Sequence, residues 1–146
     1  LNYLLDANVL VALFWPAHSQ HKPSIDWFGN NRSQGWVTCP FTEASFVRVI
    51  SNPAFSRDAV APQEAIAILN HNTEGTDHVF WPDDLSLVEV GRFCEGRLAG
   101  HQQVSDAYLL SLAIHHDGVL VTFDRSISAL LPSSSNSRRH LKVLEG

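Results

Sequence analysis

Apolar residues recur along this chain in two periods, and the switches between them predict its elements. Short apolar runs, "NYLL", "GWVTC", "HVFW", "VLVTF" and "LKVLE", read as strands, with "VLVTF" the clearest. Between them lie stretches with helical spacing. "DANVLVALFW" keeps Val9, Leu10, Leu13 and Phe14 on one face and is closed by Pro16. A second helix fits within 18–31, with Ile25, Trp27 and Phe28 toward the core. "PFTEASFVRVIS" opens with Pro40 in its first turn, and a helix across 62–73 carries Ala65, Ile66 and Leu69. Another lies near "EVGRFCEGR", and "SDAYLLSLAIHHD" spaces Leu109, Leu112, Ala113 and His116 along its length, with Gly118 as its stop. "PDDLSL", "GHQQ" and the polar "PSSSNSRRH" read as loops, and "SISALL" as a short helical turn.

Strands separated by helices imply a mostly parallel sheet covered on both faces. In such sheets ligands bind outside the carboxyl ends of the strands, often where strand order reverses. That rule gives meaning to four acids. Asp6 follows "NYLL", Asp124 follows "VLVTF", and Glu43 and Asp106 begin helices, which start on the same edge. The reading therefore brings Asp6, Glu43, Asp106 and Asp124 into one cleft.

Composition narrows the class. The 146 residues, 45% apolar and 17% charged, are expected to form one domain over 1–146. A formal net charge of −5 argues against a surface that coats polyanions, but not against an enzyme whose bound cations invert the charge of an acidic site. Cys39 and Cys94 form no CxxC pair, and two buried thiols are expected rather than a disulfide. No apolar run approaches a membrane span and no signal region opens the chain, so a cytoplasmic protein with no membrane partner is expected.

Any one of the four acids has an ordinary explanation, as a helix cap or turn former. Jointly that explanation weakens, because clustered carboxylates repel unless something neutralises them. Mg²⁺ or Mn²⁺ suits an all-oxygen set and leaves room for substrate phosphates, which points to phosphodiester hydrolysis without a protein nucleophile. The residues alone leave open a phosphatase, a DNA-processing nuclease or a non-catalytic RNA- or protein-binding module. No motif organises the histidines, "HHD" at 115–117 included, so no zinc site is expected. Arg48 and Arg125 fit surface ion pairs as well as phosphate contacts, and the tryptophans fit core or interface packing.

The chain resembles the PIN-domain ribonucleases, and specifically the VapC-type toxins of bacterial toxin-antitoxin pairs. "LLDANVLVAL", "TEASFVRV", "SDAYLLSLA" and "VLVTFDRS" are similar to that family's four acidic motifs in order and spacing. The stretch "GWVTCPFTEASFVRVISNPAF" looks most like a subgroup abundant in mycobacteria and other bacteria. The resemblance implies a PIN-like three-layer α/β sandwich with a five-stranded, mostly parallel sheet. It assigns metal binding and catalysis to Asp6, Glu43, Asp106 and Asp124, with Asn8 and Thr122 as polar companions. It also implies RNA as substrate, Mg²⁺ or Mn²⁺ as cofactor, a cognate antitoxin as partner, and a homodimer. The dimer contact is expected around Val9, Leu10, Phe14, Trp15, Trp27 and Phe28. A non-toxin RNA-processing nuclease is the alternative within the same family.

Overall fold

A computed structural model describes residues 1–132 and 136–146 of the chain. Its strands are β1 (Tyr3–Leu5), β2 (Trp36–Thr38), β3 (His78–Phe80), β4 (Val119–Thr122) and β5 (Leu141–Val143). They form one five-stranded sheet in the order β3-β2-β1-β4-β5. Every pairing is parallel, with Tyr3 opposite both Trp36 and Val119. The helices are α1 (Ala7–Phe14), α2 (His21–Asn31), α3 (Pro40–Ile50), α4 (Pro62–Asn72), α5 (Leu87–Phe93) and α6 (Val104–His115).

Side-chain alternation along the strands divides the interior into two cores. Leu4, Val37 and Leu120 face one side and pack with Val90, Leu109, Leu112 and Ala113 from α5 and α6. Leu5, Trp36, Val119 and Val121 face the other, against Val9, Leu10, Phe28, Phe46 and Ala65 from α1 to α4. The sheet thus lies between two helical layers, and its strands are apolar on both faces because both are covered. Helix α6 is buried from Ala107 through Ala113, as a helix apolar all round must be.

The order of strands positions the site. From β1 the chain steps to β2 and β3 on one side, then crosses to β4 and β5 on the other. The reversal falls between β1 and β4, so their carboxyl ends flank the crevice where α/β folds place ligands. The chain is stitched there by the Asp6 amide, which donates to the Val121 carbonyl at 2.9 Å.

Several expectations need correction. In α2 the buried positions are Ser24 and Phe28, while Ile25 is 46% exposed, because the helix turns its Ser24–Phe28 stripe inward. Ile66 of α4 is exposed for the same reason of phase. Val9, Leu10 and Phe28 are internal, and Phe14, Trp15 and Trp27 pack against the same core. Phe14 meets Trp36 and Phe46 edge-on, and Trp15 meets Phe55. Of the six residues expected around a dimer contact, Val9, Leu10 and Phe28 are thus buried within the protomer, while Phe14, Trp15 and Trp27 are partly buried. "GHQQ" is a turn of 3-10 helix at His101–Gln103 rather than an open loop. Residues 133–135 of the polar "PSSSNSRRH" stretch lie outside the described residues, and Asn136–His140 is a 3-10 turn.

The end of α6 also differs. Asp117, not Gly118, takes the left-handed conformation, at φ 53°. The Asp117 amide donates to Ile114 O at 3.0 Å and the Gly118 amide to Ala113 O at 2.7 Å, the paired bonds of a Schellman cap. Gly118 is required for space instead: a Cβ there would sit 2.6 Å from Trp81 Cη2 and 2.9 Å from the Asn2 carbonyl. Cys39 and Cys94 are both buried free thiols, each with its pKa raised by burial.

Candidate functional site

Asp6 is the first residue past β1 and caps α1, so strand and helix together fix its carboxylate. Its Oδ1 accepts from the Ala7 amide at 2.7 Å and its Oδ2 from the Thr122 hydroxyl at 2.8 Å. Thr122 closes β4 and is fully buried. Its oxygen in turn accepts from Asn8 Nδ2 at 3.2 Å and from the Asp124 amide at 3.0 Å. Asn8 completes the link by accepting from the Phe123 amide through Oδ1 at 3.2 Å. One hydroxyl thus ties the ends of both strands at the switch point. Asn8 and Thr122 thereby tie Asp6 to the backbone at Phe123 and Asp124.

Asp124 caps the 3-10 turn Arg125–Leu130. Its Oδ1 accepts from both the amide and the hydroxyl of Ser126, at 2.9 and 2.6 Å. Asp106 stands in the first turn of α6, half-buried, and among the described residues no donor reaches its carboxylate. Burial pushes its pKa up to about 6, with the charges of Asp6 and Asp124 adding to the shift. Asp6 is also raised, chiefly by burial, against the lowering effect of its hydrogen bonds from Thr122 and Ala7; the charge of Asp124 adds a smaller upward push. Three aspartates separated widely in sequence therefore act on one another electrostatically.

Glu43 enters from the next strand over. It lies in the first turn of α3, and the Thr38 hydroxyl at the end of β2 donates to its Oε2 at 2.7 Å. Since that hydroxyl proton is directed to Glu43, the ring of His78, 2.8 Å from Thr38 Oγ1 through Nε2, serves as the donor to Thr38. Burial lowers the His78 pKa, and the Glu43 charge opposes that. Neither Asp6 nor Asp106 is shifted by Glu43, so it is the peripheral member of the four. Thr38 and His78 are residues that sequence reasoning missed. The available signal was a parallel: each threonine closes its strand, Thr38 ahead of Glu43 and Thr122 ahead of Asp124.

The far end of α6 holds a different cluster. Asp84 Oδ1 lies 2.9 Å from His116 Nε2 and 3.9 Å from His115 Nε2, and the three ligand atoms lie within 4.8 Å of one another, close enough to hold a metal ion. The hydrogen bond from His116 holds Asp84 below the usual carboxylate range. No spacing in the sequence marks this group, because Asp84 reaches it only through the fold. It is roughly 14 Å from Asp106 along the helix, at about 1.5 Å rise per residue. An ion there would not share ligands with the acidic edge.

The sequence profile of the PIN domain family matches residues 3–130, a span that contains Asp6, Glu43, Asp106 and Asp124. The chain is 41% identical over 125 residues to Ribonuclease VapC39 of Mycobacterium tuberculosis, covering 86% of this chain and 90% of that protein. It is 39% identical over 141 residues to Ribonuclease VapC44 of the same species, covering 97% and 98%. Ribonuclease VapC38 is 42% identical over 127 residues, covering 87% and 88%. With the α/β sandwich and its acidic crevice, these likenesses establish that the chain belongs to the PIN domain family, among the VapC-type ribonucleases.

Proposed function

We propose that the chain is a cytoplasmic toxin whose endoribonuclease activity depends on Mg²⁺ or Mn²⁺ held by Asp6, Asp106 and Asp124, with Glu43 completing the set. The observation that carries this reading is Asp106: a half-buried carboxyl with no donor among the described residues, its pKa pushed up to about 6 by burial and by the charges of Asp6 and Asp124. Such an arrangement is unfavourable by itself and becomes favourable when a cation arrives. The donor set fits a hard divalent ion, since every candidate ligand atom at this edge is a carboxylate oxygen.

A bound ion of this kind supplies polarisation of the phosphodiester and a water acidified toward neutral pH. The protein's part is positional. Thr122 and the Ala7 amide each occupy one lone pair on separate Asp6 oxygens, so the carboxylate is locked in orientation while each oxygen keeps a second lone pair. Asp124 commits Oδ1 to Ser126, leaving Oδ2 to face a water or a second ion. Asp106 contributes the least constrained oxygens, and Thr38, backed by His78, restricts Glu43.

Control by a cognate antitoxin belongs to the same reading. A cleft of about 390 Å³ is lined by Phe41, Asp83, Leu85, Leu87, Val104 and Tyr108, and by Ser105, the sequence neighbour of Asp106. It suits an apolar anchor from an inhibitor whose cationic side chain reaches the carboxylates. A homodimer completes the proposal, formed by side chains other than the internal Val9, Leu10 and Phe28.

The test is induction of the full chain followed by mapping of new RNA 5′ ends, with the purified protein assayed on the same RNAs in Mg²⁺, Mn²⁺ or EDTA. The reading expects growth arrest and discrete cleavage, both lost in Asp6→Asn and both relieved by the neighbouring small gene product. Cleavage that persists in EDTA or in Asp6→Asn would overturn it.

A further inference from the structure

We propose that Asp84, His115 and His116 form a second metal site, selective for a borderline ion such as Zn²⁺ and independent of the acidic edge. The donors are two imidazole nitrogens and one carboxylate oxygen, a set that suits zinc and its neighbours and that Mg²⁺ does not favour. Three protein donors leave a fourth position for water. In a tetrahedral site with ligands at ~2.0–2.1 Å from zinc, donor atoms stand ~3.4 Å apart. Here the carboxylate oxygen is 2.9 and 3.9 Å from the two nitrogens, and all three atoms fall within 4.8 Å. Closing on an ion needs shifts of about 1 Å in side chains that are partly exposed.

The surroundings favour a built site over a chance surface pair. His116 is only 22% exposed and its ring is stacked on Trp81, centroids 4.3 Å apart and planes 16° from parallel. Trp81 is itself buried and pressed against Gly118, so the histidine's orientation is set by the core. The backbone at the histidines is equally fixed, by the Schellman cap through Asp117 and Gly118. Asp84 comes from the connection between β3 and α5, which also supplies Leu85 to the cleft that Val104, Ser105 and Tyr108 of α6 line. A metal bridging Asp84 to the end of α6 would clamp that connection and hold the cleft wall in place. It acts on the catalytic edge only through that wall, because the two sites lie at opposite ends of one helix.

The full chain, stripped with chelator and dialysed at pH 7.5, is titrated with Zn²⁺, Mg²⁺ or Mn²⁺ by calorimetry, and separately with Co²⁺ while the visible d–d absorption is followed. Wild type and Asp106→Asn are expected to bind one equivalent of Zn²⁺ at this site and to give the cobalt band. Asp84→Asn and His115→Gln are expected to weaken Zn²⁺ binding at least 10-fold and abolish the band. His115 is half-exposed, so its variant reports ligation rather than folding, and thermal melting of both variants checks this. Zinc binding unchanged in Asp84→Asn and His115→Gln, or lost in Asp106→Asn instead, would overturn the proposal. So would absence of zinc binding by the folded wild-type chain.

Discussion

The two ends of α6 solve opposite electrostatic problems. At its start, Asp106 faces Asp6 and Asp124, charges of one sign partly withdrawn from water, and its pKa rises to about 6. At its end, Asp84 sits against two imidazoles, and the hydrogen bond from His116 pulls its pKa down. One cluster holds carboxyls that raise one another's pKa, and the other is already paired. The contrast teaches that proximity of carboxylates, not their number, marks the edge where the chemistry is proposed to occur.

The largest effect expected at the acidic end is on turnover. Asp6→Asn or Asp106→Asn should lower metal-dependent RNA cleavage by on the order of 10²-fold or more, since each removes a charge proposed to hold the ion. Steady-state cleavage of a mapped RNA measures this. Thr122→Val should cost about 10–100-fold, the usual range for groups that orient a metal ligand, by freeing Asp6 and taking the acceptor from Asn8 Nδ2 and the Asp124 amide. Thr38→Val should cost less than Thr122→Val, because it releases only Glu43, the acid that shifts neither Asp6 nor Asp106. Equal losses in the two valine variants would erase the distinction between the inner aspartates and Glu43.

Most of the architecture was legible in the hydrophobic pattern. The five strands and helices α1 to α4 fall within the segments where the sequence predicts them, because strand and helix periods differ clearly in short, well-punctuated stretches. By contrast, α5 begins at Leu87, inside the "PDDLSL" stretch read as loop, and ends at Phe93, and α6 begins one residue early at Val104. The electrostatic grouping of Asp6, Asp106 and Asp124 is what the topology leads one to expect, since a parallel sheet places strand ends and following helix starts on one edge. What the sequence did not reveal was phase and long-range contact. Ile25 and Ser24 differ by one helical step, and only packing decides which is buried. Asp84 meets His115 and His116 because the segment after β3 passes the end of α6, a relation that no spacing encodes. Gly118 reads as a helix stop, yet its cause is the Trp81 ring.

That last point yields a test confined to the far end. Gly118→Ala should destabilise the fold by about 1–3 kcal/mol through overpacking against Trp81 and the Asn2 carbonyl, as read by urea denaturation. Where the variant remains folded, cleavage at the acidic end should be unchanged.

The smallest effect is the most diagnostic of strain. Asp106 binds its proton more tightly in the folded chain than in the unfolded one, so acid favours folding and stability is lost as pH rises from the unfolded carboxyl range through about 6. In EDTA, Asp106→Asn should therefore melt a few degrees higher than wild type at pH 8 and nearly the same at pH 4. A variant less stable than wild type at pH 8 would mean the aspartate contributes to the fold rather than opposing it.

The most direct measurement is Mn²⁺ titration of wild type and Asp106→Asn at pH 8, with ion binding and cleavage of one mapped RNA followed on the same samples. The acidic edge predicts that binding and cleavage rise together in wild type and that both are lost in a fully folded Asp106→Asn. Cleavage by Asp106→Asn at the wild-type rate and the wild-type Mn²⁺ dependence would contradict it.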